Sequence, residues 1–273
     1  MFGYEFMREA FIASTFIAIT AGLVGVFVVS RNMSFLSHTL SEIGFAGASF
    51  GILIGISPLA GMILFTLVSS IAVGSLSSES SRREASISAI SSLFIGLGIL
   101  FLSLSSESSS YATNILFGSI VGISAKEVHQ LLILAIFVIL IFIIFYKPLS
   151  FDSFDHIGAQ AAGLKTKLLS ITFLITLALS VSIGAQIVGS LLVFVLLTLP
   201  AATAKYIVHS VPKMIIVSVG LSLIGVWLGL YLAFITNWPV TFFISTFEVI
   251  AYFLGLSYKN WRLSTKYNLR VPE

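Results

Sequence analysis

Residues 181–204 read Val181-Ser-Ile-Gly-Ala-Gln-Ile-Val-Gly-Ser-Leu-Leu-Val-Phe-Val-Leu-Leu-Thr-Leu-Pro-Ala-Ala-Thr-Ala204, and the way this run crosses a membrane decides the topology of the whole chain. Taken as one span with the residues before it, the run reverses every later segment and leaves a basic tail outside. Taken as two short spans, 168–185 and 187–204, parted near Gln186, it keeps that tail inside. Cytoplasmic loops carry the Lys and Arg excess in membrane proteins, so the two-span reading is preferred. Pro200 is expected to break the second of these helices near its inner end.

Working outward, a span needs about 20 predominantly apolar residues. Such stretches fit 9–30, 34–54, 59–75, 86–104 and 129–146 upstream, and 214–235 and 240–257 downstream. Segment 105–126 is too short to cross and is expected to be re-entrant or interfacial. With the N-terminus outside, Arg31, Arg82, Arg83, Lys147, Lys165, Lys167, Lys205, Lys213 and the basic tail all fall inside. The expectation is therefore an all-α, polytopic membrane helix bundle of about nine transmembrane helices, N-out and C-in, with eight as the alternative count. It forms a single domain over residues 1–273.

Composition supports this class. Of 273 residues 58% are hydrophobic and 9% charged, and the mean hydropathy is +1.09. A soluble globular domain is excluded. No cysteine is present, which removes disulfides and thiolate metal sites, so any metal must meet nitrogen and oxygen donors. The chain lacks the Gly-x-x-x-x-Gly-Lys-Ser/Thr loop of nucleotide hydrolases, and also the His-Glu-x-x-His and Gly-x-Ser-x-Gly signatures of hydrolytic enzymes. No permanently bound cofactor and no nucleic-acid partner are expected.

Within the span 34–54, His38 and Glu42 stand four residues apart and share one helix face. An imidazole and a carboxylate inside a bilayer are costly unless they pair, line water or hold a cation, so such a pair marks a functional site. The plainer alternative is a hydrogen bond that only locks two helices. Gly44, Gly47, Ala48 and Gly51 follow at spacings that let another helix approach closely. Glu248, near the middle of the last span, is a further candidate ligand. Glu127 and His129 sit at a span mouth, and His156 and His209 are expected to be solvated in inner loops. The longest polar stretch, about 150–167, holds a short Ala-rich helix over Phe154-Asp-His-Ile-Gly-Ala-Gln-Ala-Ala-Gly-Leu164, stopped by Gly163.

Taken in order, Leu116-Phe-Gly-Ser-Ile-Val-Gly, the Phe154–Leu164 segment, Val188-Gly-Ser-Leu-Leu with Leu199-Pro-Ala-Ala-Thr-Ala, and Gly229-Leu-Tyr-Leu followed by Trp238-Pro resemble the ABC-3 family. These are the permease subunits of bacterial ATP-binding-cassette importers for zinc, manganese or iron, and the resemblance runs along almost the whole chain. It implies a permease that carries a divalent transition metal, zinc or manganese, through the bacterial cytoplasmic membrane. ATP hydrolysis then belongs to a separate cytoplasmic ATPase subunit. An extracytoplasmic metal-binding lipoprotein and a second permease copy complete the expected assembly, with lipid around it. The family's second-span motif, Asp-x-Leu-Ser-His, stands here as His38-Thr-Leu-Ser-Glu42, with nitrogen and carboxylate donors exchanged. By resemblance the ATPase-coupling residues are Phe154, Asp155, Gly158, Ala159, Ala162, Gly163 and Leu164. An ion-coupled secondary carrier working without an ATPase is the alternative.

Overall fold

Ten helices, and no strand, make up the described part of the chain in the computed structural model, which describes residues 4–74, 80–105, 116, 118 and 124–268. They are α1 (Glu5–Ser30), α2 (Ser34–Ile54), α3 (Pro58–Gly74), α4 (Ser80–Leu104), α5 (Ala125–Phe154), α6 (His156–Ala161), α7 (Thr166–Val188), α8 (Ser190–Ile207), α9 (Val211–Thr236) and α10 (Val240–Asn268). Six of them, α1, α4, α5, α7, α9 and α10, are long and apolar enough to cross a membrane, while α3 and α8 are apolar over the shorter stretches Pro58–Ala72 and Leu192–Ile207. Helix α2 belongs to neither group because His38, Glu42 and five Ser or Thr hydroxyls dilute it. Most of the segment expected to be re-entrant, 105–126, lies outside the described residues.

Those hydroxyls fold into the helix rather than into lipid. Ser37, Thr39 and Ser49 donate to carbonyls about one turn back, at 2.7, 3.2 and 2.8 Å, whereas Ser41, His38 and Glu42 reach partners beyond the helix. The small-residue face works as its spacing implies. Gly47 of α2 and Gly61 of α3 approach backbone to backbone, and a Cβ on Gly47 would lie 2.8 Å from the Phe65 Cβ and 2.9 Å from the Gly61 carbonyl carbon. Helix α2 is thereby held between α3, α4 and α8.

Helices α1 and α7 form the centre. About two thirds of the most apolar part of α1 and 72% of that of α7 are buried, against 17% for α4 and α10 at the rim. The break that divides α7 from α8 is a single residue, Gly189, with φ +91° and ψ +150°. This region is open to glycine and strained for any residue carrying a Cβ. The division therefore falls at Gly189, three residues beyond Gln186, and residues 168–204 form two helices rather than one.

The expectation that Pro200 breaks its helix does not hold, and the helix over 129–146 runs on through Pro148. Pro200 sits inside α8, which continues to Ile207. Pro148 sits inside α5, which continues past Tyr146 to Phe154. Each proline removes one backbone donor, but packing on either side keeps the helix. Ala201 and Ala204 are fully buried beside Pro200, and Leu149 is fully buried beside Pro148. Asp152, one turn beyond Pro148, is anchored on Arg31.

Candidate functional site

The first turns of α2 bring Nδ1 of His38 to 3.6 Å from Oε2 of Glu42. The Ser91 hydroxyl, reaching from α4, donates to the same carboxylate oxygen. On the other side the ring of Phe194, in α8, meets the His38 imidazole edge-on with centroids 5.0 Å apart. One residue before Glu42, the Ser41 hydroxyl donates to the Ser190 carbonyl in the first turn of α8. Three helices thus fix the pair, and no Lys or Arg bonds Glu42 among the described residues. The His38 side chain keeps 38% exposure and that of Glu42 18%, which leaves both donors room for a further ligand.

Donors each about 2.1 Å from one metal ion stand about 3.4 Å apart at the tetrahedral angle. A separation of 3.6 Å therefore lets one ion bridge Nδ1 and Oε2 with little side-chain movement. No group of three or more His, Asp or Glu side chains able to share a metal exists among the described residues. Two protein ligands with open positions suit an ion in transit, because a structural site closes with four.

Glu248 is not brought into this pair. It is fully buried in α10, against Gly225 of α9, where a Cβ would fall 2.6 Å from its Oε1. Neither of its carboxylate oxygens has a hydrogen-bond partner among the described residues. Glu127 builds the start of α5 through a capping box with Ser124, and its Oε1 accepts from the Gln186 amide at 3.5 Å. His129 is exposed, and exposed His209 faces Arg262 at 3.3 Å.

At the other candidate segment, the short helix expected over 154–164 forms as α6. Asp155 caps it by accepting from the Gly158 N–H at 2.8 Å, and a side chain at Gly158 would collide with that carboxylate. Gly163, at φ +77°, ends it in a Schellman turn, with Gly163 N–H bonded to Gln160 and Leu164 N–H to Ala159. Asp155, Gly158 and Gly163 therefore shape the helix, while Ala159 is buried beneath it and Leu164 packs on the core. Its outward face consists of Phe154, Ile157, Gln160, Ala161 and Ala162. Ile157 is 80% exposed, the highest value for a large apolar residue among those described, and residue-type spacing gave no hint of it.

His156 is exposed, as expected, but its ring also has two partners. Its Nδ1 lies 2.8 Å from Oδ1 of Asp152, and its Nε2 lies 3.0 Å from the Gln160 amide nitrogen. The other Asp152 oxygen receives Nη2 of Arg31 at 2.6 Å. Burial draws the Arg31 guanidinium below its ordinary range, and the Asp152 charge opposes that pull.

The fold and sequence have known counterparts. The model of the "ABC 3 transport family" matches residues 3–259. The manganese transport system membrane protein MntC of Listeria monocytogenes is 30% identical over 86% of this chain and 84% of its own. The manganese import system permease protein ScaB of Streptococcus gordonii is 32% identical over 83% of each. A solved structure of PsaBC from Streptococcus pneumoniae in complex with Fab superposes with a TM-score of 0.85 at 26% identity, covering 92% of this chain and 91% of that one. By sequence along nearly its full length and by fold, this multi-pass membrane protein belongs to the ABC-3 transport family.

Proposed function

We propose that the chain is the membrane permease of an ATP-driven importer and that it passes manganese across the cytoplasmic membrane through the His38/Glu42 site. The observation that carries the site assignment is an imidazole and a carboxylate 3.6 Å apart within the bundle, with no Lys or Arg among the described residues to neutralise the carboxylate. The metal follows from the relatives, several of which are named for manganese transport. An imidazole with a carboxylate suits zinc, manganese and ferrous iron alike, so the donor pair alone does not select among them.

The described helices other than six-residue α6 number nine, and with the N-terminus outside they direct the basic loops and tail inward. On this reading α6 faces the cytoplasm, where a separate cassette ATPase grips its outward face. A second permease copy and an extracytoplasmic metal-binding protein complete the importer. The chain carries no nucleotide-binding loop of its own.

The test is manganese uptake into proteoliposomes holding the complete complex, with zinc and ferrous iron as competitors. His38→Ala and Glu42→Gln should each abolish uptake while the complex still inserts and assembles. Normal transport by both variants reduces the pair to a helix lock. Uptake by the permease alone, with no ATPase and no ATP, would replace this reading with that of an ion-coupled carrier.

A further inference from the structure

Where α1 ends, three elements meet at one carboxylate. Asp152 has a side chain with no solvent exposure and divides its two oxygens between two partners. Oδ2 holds Nη2 of Arg31, the residue that terminates α1, at 2.6 Å. Oδ1 faces Nδ1 of His156, the first residue of α6, at 2.8 Å. Arg31 is pinned further by Nε donating to the Ser153 hydroxyl at 2.7 Å, and its guanidinium lies 4.8 Å over the ring of Phe173 in α7. A neutral imidazole satisfies its whole surroundings, with Nδ1–H donating to Asp152 and Nε2 accepting from the Gln160 amide at 3.0 Å.

The two halves of this arrangement differ in freedom. Arg31 and Asp152 have side-chain exposures of 8% and 0%, whereas His156 is 56% exposed on the outward side of the bundle, next to Ile157. An ion pair enclosed in that way moves as one body, because separating it leaves a buried charge uncompensated. The exposed imidazole belongs instead to the helix that an outside partner would move. Arg31, at the far side of the pair, is covalently the end of α1, which packs on α5, α7, α8 and α9.

We propose that Asp152 and Arg31, engaged through His156, are positioning residues that transmit movement of α6 to α1 and so couple ATP hydrolysis to metal passage. The proposal rests on the reading that α6 is the docking helix of a cassette ATPase. A force applied at Ile157 tilts α6, His156 carries the tilt to Oδ1 of Asp152, and the rigid pair delivers it to the end of α1. The other connections from α6 run through the backbone, into α5 across Asp155 and into α7 across residues 162–165, so severing the side-chain route changes coupling without detaching the helix.

The deciding experiment measures ATP hydrolysed per manganese ion imported by the complete complex in proteoliposomes. His156→Ala alters an exposed residue and leaves the enclosed pair in place. It should retain the ATPase subunit and hydrolysis yet raise the ATP-to-manganese ratio by about tenfold, within the usual span of a coupling free energy. His156→Asn, whose amide can donate to Asp152, should bring the ratio back towards wild type. Asp152→Asn should uncouple as His156→Ala does, and exchanging the pair in Arg31→Asp/Asp152→Arg should recover part of the loss. An unchanged ratio in His156→Ala, whether import is normal or falls in step with hydrolysis, overturns the proposal, as does loss of the ATPase subunit from that variant. Ile157→Asp separates the two readings: if the ATPase stays bound to it and hydrolysis is normal, the docking assignment fails whatever His156→Ala does.

Discussion

Replacing Ser91 by Ala removes the hydroxyl that donates to Oε2 of Glu42, the same oxygen that faces His38 Nδ1 at 3.6 Å. Ser91 is 7% exposed, so water does not easily take the place of the lost donor. A hydrogen bond to a charged acceptor contributes about 1.5–3 kcal/mol net, and about 1.4 kcal/mol corresponds to a factor of ten. The manganese concentration for half-maximal uptake should therefore rise by about 10- to 100-fold, the span observed when the outer partner of a metal ligand is removed. Because the hydroxyl orients a ligand and is not one itself, the maximal rate should fall less than the affinity. The assay is initial-rate uptake of radioactive manganese into proteoliposomes across a wide concentration range, with Ser91→Thr as the variant that keeps a hydroxyl. An unchanged half-saturation in Ser91→Ala, in a preparation where Glu42→Gln abolishes uptake, refutes the orienting role.

Three further outcomes are expected. Gly47→Val should destabilise the bundle by about 1–3 kcal/mol or more through overpacking, read as a lower unfolding temperature by tryptophan fluorescence in detergent. Gly44→Ala is the control, since its Cβ meets only Thr66 Cγ2 at 3.5 Å; equal losses in both variants would contradict the packing argument. Gly189→Ala should cost about 1–3 kcal/mol from backbone strain alone, and an unfolding temperature matching wild type would show that the break tolerates a side chain. Glu248→Gln removes a carboxylate whose oxygens have no hydrogen-bond partner among the described residues, so stability should hold or rise, and most of the uptake should survive. A loss of uptake as complete as in Glu42→Gln would bring Glu248 into the metal pathway.

The helical order was legible because lipid imposes a simple demand: backbone groups must bond within the segment, so apolar runs become helices with bounds close to the run itself. His38 and Glu42 were legible for the same reason, as polar groups whose cost in hydrocarbon has to be answered. Less visible was whatever depends on a neighbour far away in sequence. Pro200 looks like a helix end until the buried Leu196, Leu197, Ala201 and Ala204 are seen to hold both sides of it. Ser91 is one serine among many in its region, and only the arrival of α4 beside α2 singles it out. His156 reads as a solvated loop residue, because its partner Asp152 is enclosed by a cation that comes from position 31. In the 154–164 segment the family-like residues proved to be mostly those that shape the turn, while Ile157 carries the exposed surface.

The one-residue hinge at Gly189 has a consequence for length. Helix α7 begins just after the turn that closes α6 and runs 23 residues, about 34 Å at about 1.5 Å per residue. It has no slack at its far end, because α8 starts at the very next residue and the carbonyl of Ser190 holds the Ser41 hydroxyl. The residue count of α7 therefore sets the angular phase between the surface segment and the His38/Glu42 pair. Deleting a single residue from it would turn Ser190 by about 100° relative to α6, a change that a flexible loop would absorb and this hairpin does not.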